Sequence, residues 1–372
     1  MRIAILAESF LPEINGVTTS VLRVTAGLAA RRHDVLVVAP GHGPVRHAGA
    51  QVVRVRALRL PAYRSVPVAL PTRQVEACLE GFRPDVVHLA GPLVLGAQGA
   101  AVAARLQIPA VAVYQTDWPG FARHYGLAGA QPLAWAWVER IHRRADRTLA
   151  PSWPSVWALR RRGVPRVHRW SRGVDAEQFH PRHRDDRLRR RLAPRGEVIV
   201  GFVGRLAREK RVHLLEVLRD LPGVRVVVVG DGPERQRLER LLPFATFLGL
   251  ATGDRLAQAY ASFDVFVHPG AADTFCQAVQ EAMAAGVPVA AAAAGGPLDL
   301  VRHGRTGLLW AADDPQALRA AVAELAGDGQ RRAAMGAAAR RLAEPCTWDA
   351  RVLELIDHYR AVLEHAGREV AA

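Results

Sequence analysis

The sequence predicts an α/β protein made of two parallel-sheet domains, and three observations predict it. Short β-branched or apolar runs alternate with longer stretches of helical period, the pattern of strands and crossover helices. The alternation comes in two series, one starting at Ile3 and one at Val198, separated by a polar, charged, proline-containing break at Phe179-His-Pro-Arg-His-Arg-Asp-Asp186. At 372 residues and 50% hydrophobic content, the chain is long enough to bury a core in each half.

In the first series the buried strands are predicted at Ile3 to Ala7, Asp34 to Ala39, Val52 to Val55, Asp85 to Leu89, Ala110 to Tyr114 and Arg147 to Ala150. The second places them at Val198 to Val203, Arg225 to Val229, Ala245 to Leu248, Asp264 to His268 and Val287 to Ala292. The domains are then residues 1–180 and 181–348. A last helix, about Trp348 to Glu364, has a pattern compatible with capping the second domain or returning to the first. The longest uncharged stretch, Ala282 to Leu298, contains Gly286, Pro288, Gly295, Gly296 and Pro297, so it reads as a strand with turns, and no transmembrane segment is expected. The apolar run before Glu8 is too short for a secretion signal. Cys78, Cys276 and Cys346 are far apart and lack metal-ligand spacing, which fits a reducing cytoplasm.

The net charge of +15 admits nucleic acid, an anionic membrane surface or an acidic small substrate as partners. The excess sits mid-chain: Arg140 to Arg195 holds 17 arginines against five acids. No recognition-helix, zinc or stacking motif accompanies it, so nucleic acid is not the expected partner, although a basic nucleic-acid-binding protein is the non-enzyme alternative. Trp135, Trp137, Trp153, Trp157 and Trp170 lie in or near this segment. They read either as core-facing residues beside solvated arginines or as part of an interfacial surface.

In open α/β sheets ligands gather beyond the carboxyl ends of strands, so the informative residues are those that follow strands. Asn15-Gly16-Val17 precedes a helix, where a glycine lets backbone approach a ligand and the helix N-terminus offers N–H groups to an anion. After Val198 to Val203 come Gly204, Arg205 and then Lys210, the only lysine among 50 basic residues. A guanidinium fork and a compact ammonium together suit a diphosphate. After the strand ending at His268, Asp273 is placed as a helix cap and Glu281 on the rim of that helix. Two carboxylates also fit a glycosidase acid/base pair, but against that both belong to one strand-helix unit that presents backbone N–H groups, which suits holding a sugar's hydroxyls beside a phosphate. Tyr114-Gln-Thr-Asp-Trp-Pro-Gly120 offers Asp117 either as a turn-former or as a group for a sugar hydroxyl, and His124 reads as surface or structural. His268 and Cys276 read as packing or backbone-contact positions.

Several of these stretches carry a family likeness. "AESFLPEINGVTTSVLRV", "RPDVVHLAGP", "VAVYQTDWPGFARHYG", "HRWSRGVDAEQFHP", "GFVGRLAREK", "VVGDGPER" and "TFCQAVQEAMAAGVPV" run over nearly the whole chain. Through them the sequence resembles the retaining glycosyltransferases of family 4 with the GT-B fold. "YQTD" and "RGVD" tilt the likeness towards the GDP-mannose-dependent α-mannosyltransferases of actinobacterial glycolipid pathways.

The resemblance implies two facing Rossmann-like domains, with the nucleotide-sugar on the second, the acceptor on the first and a C-terminal helix (349–372) crossing back to the first. It implies no metal and no other cofactor beyond a nucleotide-sugar donor. Arg205 and Lys210 would neutralise the leaving diphosphate, Gly16 admit it, Glu281 hold the ribose, and Asp273 with the backbone of Phe275 and Cys276 hold the sugar. Asp117 would orient sugar or acceptor. The implied partners are GDP-mannose and a lipid-linked or glycolipid hydroxyl; the basic segment, for its part, fits a cytoplasmic protein seated on the anionic inner face of the plasma membrane. Another donor on the same fold, UDP- or GDP-linked glucose, N-acetylglucosamine or sulfoquinovose, is the alternative. The chain departs from the family where its element begins with Asp273 instead of glutamate. It also carries Asp117 where many members carry histidine, so no histidine role in the acceptor site is carried over.

Overall fold

The computed structural model describes residues 1–59, 67–70, 72–91, 93–120 and 128–367. His124, residues 121–126 of the stretch containing Asp117, Pro92, and the last five residues lie outside the described residues. Among those described, one compact unit holds 1–120, 128–172 and 348–367, and the other holds Gly173–Thr347.

The first unit runs β1 (Arg2–Leu6), α1 (Gly16–Ala30), β2 (Asp34–Pro40), β3 (Arg46–His47), β4 (Ala50–Val55), β5 (Ala57–Arg59), β6 (Pro67–Ala69), α2 (Gln74–Phe82), β7 (Val86–Leu89), α3 (Val94–Arg105), β8 (Ala110–Val113), α4 (Gln131–Arg144), β9 (Arg147–Ala150), α5 (Trp153–Arg161) and β10 (Val167–Arg169). Its main sheet has eight strands in the order β10-β9-β8-β7-β1-β2-β4-β3, parallel except where β3 meets β4. Helices cover both faces, which is why the central strands are continuous apolar runs. Alternate residues part to the two sides. Ile3, Ile5, Val35 and Val37 pack with Val21, Val24 and Leu28 of α1, whereas Ala4, Leu6, Leu36 and Val38 pack with Leu79 of α2 and Leu95 of α3.

The C-terminal helix Trp348–His365 belongs to this unit. Its Val352, Leu355, Ile356, Tyr359 and Val362 recur at helical spacing and join the core that α1 covers. Two polar contacts fix its register: Tyr359 Oη lies 2.7 Å from Nδ1 of buried His88, and Trp170 Nε1 donates to Arg351 O at 2.8 Å.

The second unit contains α6 (Asp186–Leu192), β11 (Val198–Val203), β12 (Val224–Val229), α7 (Arg235–Leu241), β13 (Thr246–Gly249), α8 (Gly253–Ser262), β14 (Val265–His268), α9 (Gln277–Ala284), β15 (Val289–Ala292), α10 (Pro297–Leu300), β16 (Gly307–Trp310), α11 (Pro315–Gly327) and α12 (Gly329–Ala343). The strand order β13-β12-β11-β14-β15-β16, parallel throughout, is the Rossmann order 3-2-1-4-5-6 counted within the unit. The order reverses between β11 and β14, so the loops that leave these two strands, starting at Gly204 and at Pro269, flank the crevice where such sheets bind ligands. Residues 173–180 pack here too: Val174 N donates to Cys346 O at 2.8 Å, and the Phe179 ring meets Tyr260 edge-on.

All eleven predicted strands form, with ends shifted by a few residues. β3, β5, β6, β10 and β16 were not predicted, being two to four residues long and too short to show a strand pattern. Around Lys210 the chain makes 3₁₀ turns, Arg208–Lys210 and Val212–Leu218, with Arg211 between them at a left-handed φ of 53° that breaks regular α-helix.

Candidate active site

The second unit brings Lys210, Asp273, Phe275, Cys276 and Glu281 onto the loops and helix after β11 and β14. Backbone hydrogen bonds hold the loop after β11: Gly204 N donates to Val229 O at 3.0 Å, Leu206 N to Asp231 O at 2.9 Å and Glu234 N to Leu206 O at 2.9 Å. A Cβ on Gly230 would lie 1.9 Å from Gly204 O, so this approach requires glycine. Arg205 sits half-buried in this loop. The following 3₁₀ turn sends its three cations apart. Arg208 points towards Glu234, with Nε 3.6 Å from Oε1, and Arg211 donates from Nη1 to Ala312 O at 2.8 Å. Lys210 turns inward, its Nζ 2.5 Å from Asp273 Oδ1.

Asp273 does not cap α9, as the sequence suggested. That helix begins at Gln277 after Cys276, whose left-handed backbone (φ 78°) makes the N-terminal junction without a side-chain cap. The Asp273 carboxylate faces the other way, between Lys210 and His268, with His268 Nε2 2.7 Å from Oδ2. Burial pushes the Asp273 carboxyl up, but the Lys210 charge and the His268 donor outweigh it and hold it far below the usual carboxylate range. For Lys210 burial works against the charged form, and the Asp273 charge more than reverses it, leaving the ammonium above its ordinary value. His268 therefore has a polar partner that its sequence position, five residues before Asp273, did not reveal.

The loop 273–276 is locked from outside by Gly295-Gly296. Gly296 N donates to Asp273 O at 2.8 Å, and a Cβ on Gly296 would fall 1.8 Å from Phe275 O. Phe275 and Cys276 are buried, yet among the described residues their N–H groups have no acceptor. Successive free N–H groups beside a left-handed residue form a nest for an anionic or hydroxyl oxygen. Burial, then the Asp273 charge, pushes the Cys276 thiol well up, away from the thiolate form that a nucleophile needs. Glu281 lies one turn along α9, half-buried, accepting from Tyr260 Oη at 2.9 Å. Tyr260 leaves no trace in the sequence pattern because it sits on the apolar face of α8. His268, Asp273 and Cys276 each present a ligand-type atom within 4.8 Å of one another.

On the first unit, Gly16 opens α1 at the surface. Asn15 Oδ1 already accepts from Val17 N and Thr18 N, both at 3.0 Å, so two of the N–H groups counted for an anion are capped. Buried Arg172 donates from Nη1 to Gly16 O at 2.7 Å and from Nη2 to Gln115 Oε1 at 2.9 Å, tying the start of α1 to the loop after β8. Arg172 lies in "HRWSRGVD", where one arginine among so many gave no contrast. Asp117 is half-buried and shapes its own turn: Oδ1 accepts from Tyr114 Oη at 2.9 Å and Gly120 N at 3.0 Å. Glu8, after β1, caps α3 through Oε1, which accepts from Gly96 N at 2.7 Å and Leu93 N at 3.2 Å. Burial, partly offset by these donors, pushes its carboxyl up to about 7.

The profile of Glycosyltransferase Family 4 matches residues 14–178, and that of Glycosyl transferases group 1 matches residues 184–342. A GDP-mannose-dependent alpha-mannosyltransferase of Mycolicibacterium smegmatis is 52% identical over 98% of both chains. The chain belongs to glycosyltransferase family 4. A protein of the same description from Mycobacterium tuberculosis is 49% identical to this glycosyltransferase over 97% of both chains. The solved structure of sucrose-phosphate synthase from Thermosynechococcus elongatus superposes with a TM-score of 0.79 at 21% identity, covering 98% of this glycosyltransferase and all of that chain. At that identity the likeness is one of fold, GT-B, as the resemblance implied.

Proposed function

We propose that this family 4 glycosyltransferase moves mannose from GDP-mannose to a lipid-linked or glycolipid hydroxyl, with retention of configuration and without a metal. The carrying observation is the 52% identity, end to end, with a GDP-mannose-dependent alpha-mannosyltransferase. The site chemistry supports it. Departure of the diphosphate builds negative charge that must be met by fixed positive groups, and Arg205 and Lys210 supply them after β11. The Phe275 and Cys276 N–H groups add uncharged donors. Glu281, pre-oriented by Tyr260, takes the ribose hydroxyls. Asp273 and the backbone beside it face the sugar, whose oxocarbenium-like transition state needs orientation more than a nucleophile. The departing phosphate is the proton acceptor for the incoming hydroxyl. On the first unit, Gly16 admits close approach of an anion and Asp117 orients a hydroxyl.

The metal-free reading draws support from Lys210. An ammonium against Asp273 supplies the positive charge there, and a divalent cation on His268, Asp273 and Cys276 would have to sit beside it. A panel of nucleotide-sugars assayed for turnover tests the donor.

The acceptor's class suggests a seat on a membrane. Among the described residues no helix is long and apolar enough to cross one. Of the five tryptophans near the basic segment, Trp135 and Trp170 are buried, whereas Trp137, Trp153 and Trp157 are 41%, 42% and 52% exposed. Trp153 stacks on Trp157 at 6.2 Å between centroids, and exposed arginines follow on α5. Aromatic rings beside arginines suit the interface of an anionic bilayer. Replacing Trp153 and Trp157 by serine should reduce co-sedimentation with vesicles of anionic lipid at least about threefold, since each ring contributes buried apolar area. Equal binding of the unaltered protein to neutral and anionic vesicles would contradict electrostatic attachment.

A further inference from the structure

Asp273 is gripped from both sides, and the two grips differ in kind. Lys210 Nζ stands 2.5 Å from Oδ1, and His268 Nε2 stands 2.7 Å from Oδ2. His268 is 1% exposed, lies nearly parallel to the Phe202 ring, and has its Nδ1 buried without a partner among the described residues. With Nδ1 unpartnered, Nε2 is the nitrogen that presents its proton to the carboxylate. The chain passes close over the pair: a Cβ on Gly270 would lie 2.9 Å from His268 Nε2 and 3.3 Å from Asp273 Oδ2. With His268 holding Oδ2, Asp273 offers Lys210 one oxygen, Oδ1.

This geometry raises a difficulty for a lysine meant to bind diphosphate, because a neutralised ammonium attracts a second anion weakly. A partner exchange resolves it. We propose that His268 is a positioning residue which fixes Asp273 with Oδ1 on Lys210, and that the donor's diphosphate takes the Lys210 ammonium over from Asp273 on binding. The inference rests on reading Lys210 as a diphosphate ligand. A lysine suits the exchange: its ammonium is a point charge on a flexible stem, whereas an arginine fork would lock onto the carboxylate with two parallel bonds. His268 makes the exchange reversible, since Asp273 keeps a donor at Oδ2 after the ammonium has left and is not stranded as an unpaired buried charge. The aspartate that stands in place of the family's glutamate then acts first on the lysine and through it on the leaving group.

The test is binding of inorganic pyrophosphate and of GDP by calorimetry, with turnover and thermal unfolding measured in parallel. Asp273→Asn keeps the volume and removes the competing charge; both ligands should bind about tenfold tighter while turnover falls, the scale of a hydrogen bond to a charged group. His268→Phe keeps the stacking and removes the donor, so the carboxylate turns both oxygens to Lys210, and both ligands should bind about tenfold more weakly. His268→Gln restores a donor and should recover affinity to within about threefold, even if both His268 variants lose the same melting temperature. Unchanged or weaker binding by Asp273→Asn, or affinities in the His268 variants that follow only melting temperature, would overturn the proposal. Pyrophosphate reads the exchange whatever the base, so a protein that bound pyrophosphate as described but preferred UDP to GDP would leave the exchange standing and remove the GDP-mannose reading.

Discussion

Lys210→Ala is expected to lower turnover about 10²–10³-fold, the usual loss when one preorganised donor to developing charge is removed. The substitution that discriminates is Lys210→Arg. It keeps the charge in a chain that uses arginine everywhere else, yet it replaces a point charge that can change partners by a fork that fits the Asp273 carboxylate. The variant should be folded, with turnover reduced by about 10²-fold, the scale of an ångström's misplacement at a reacting centre. Arg208→Ala should stay within about threefold of the unaltered protein, because Arg208 is exposed and makes only a loose pair with Glu234. Arg211→Ala should lose less than Lys210→Arg, since Arg211 is spent on Ala312 O. Steady-state rates at saturating donor decide the order. A Lys210→Arg protein as active as Arg208→Ala would make the single lysine an accident.

Gly296→Ala is the second large effect, and its cause is steric. Gly296 has an ordinary helical backbone, so no conformational preference is violated, but the added Cβ would overlap Phe275 O at 1.8 Å and Phe275 C at 2.2 Å. The backbone of 273–276 must move, at a cost of about 1–3 kcal/mol for an overpacked site. In a unit of this size each kcal/mol lowers the melting temperature by about 2–4 °C. The loop that moves carries Asp273 and the free N–H groups, so turnover should fall about 10²-fold, far more than the stability loss implies. Gly327→Ala is the matched control: nothing lies within 4 Å of its Cβ position, and it should change stability by less than about 0.5 kcal/mol. Normal turnover in Gly296→Ala would mean that the 273–276 loop does not take part in donor binding.

These effects separate what could be read in the sequence from what could not. The strands were legible because parallel strands covered on both faces are uninterrupted apolar runs, and Ile3 to Leu6 and Val198 to Val203 are of that kind. The position of the C-terminal helix was not legible from period alone, because an apolar stripe states that a face is buried and not against what; His88 and Trp170, far away in sequence, supply the answer. That the candidate residues share the loops after β11 and β14 was legible, since residues after strands gather at the carboxyl edge of a sheet. The site's internal wiring was not. Asp273 looked like a cap because it precedes a helix, and only the three-dimensional neighbourhood turns it towards Lys210 and His268. His268 ended an apolar strand and looked like packing, and Arg172 was hidden among arginines. Gly295 and Gly296 read as turn residues, although Gly296 is glycine because another backbone occupies the place of its side chain.

Use of GDP-mannose by this glycosyltransferase can be read directly. Its most direct test is to supply GDP-mannose and, separately, UDP- and GDP-glucose, UDP-N-acetylglucosamine and UDP-sulfoquinovose to the purified protein with a crude lipid acceptor fraction, following sugar into lipid. Mannose from GDP-mannose should be transferred at a rate at least about a hundredfold above the other donors, the discrimination available to a site that hydrogen-bonds its substrate's hydroxyls. Transfer from a UDP-linked donor with none from GDP-mannose would contradict it.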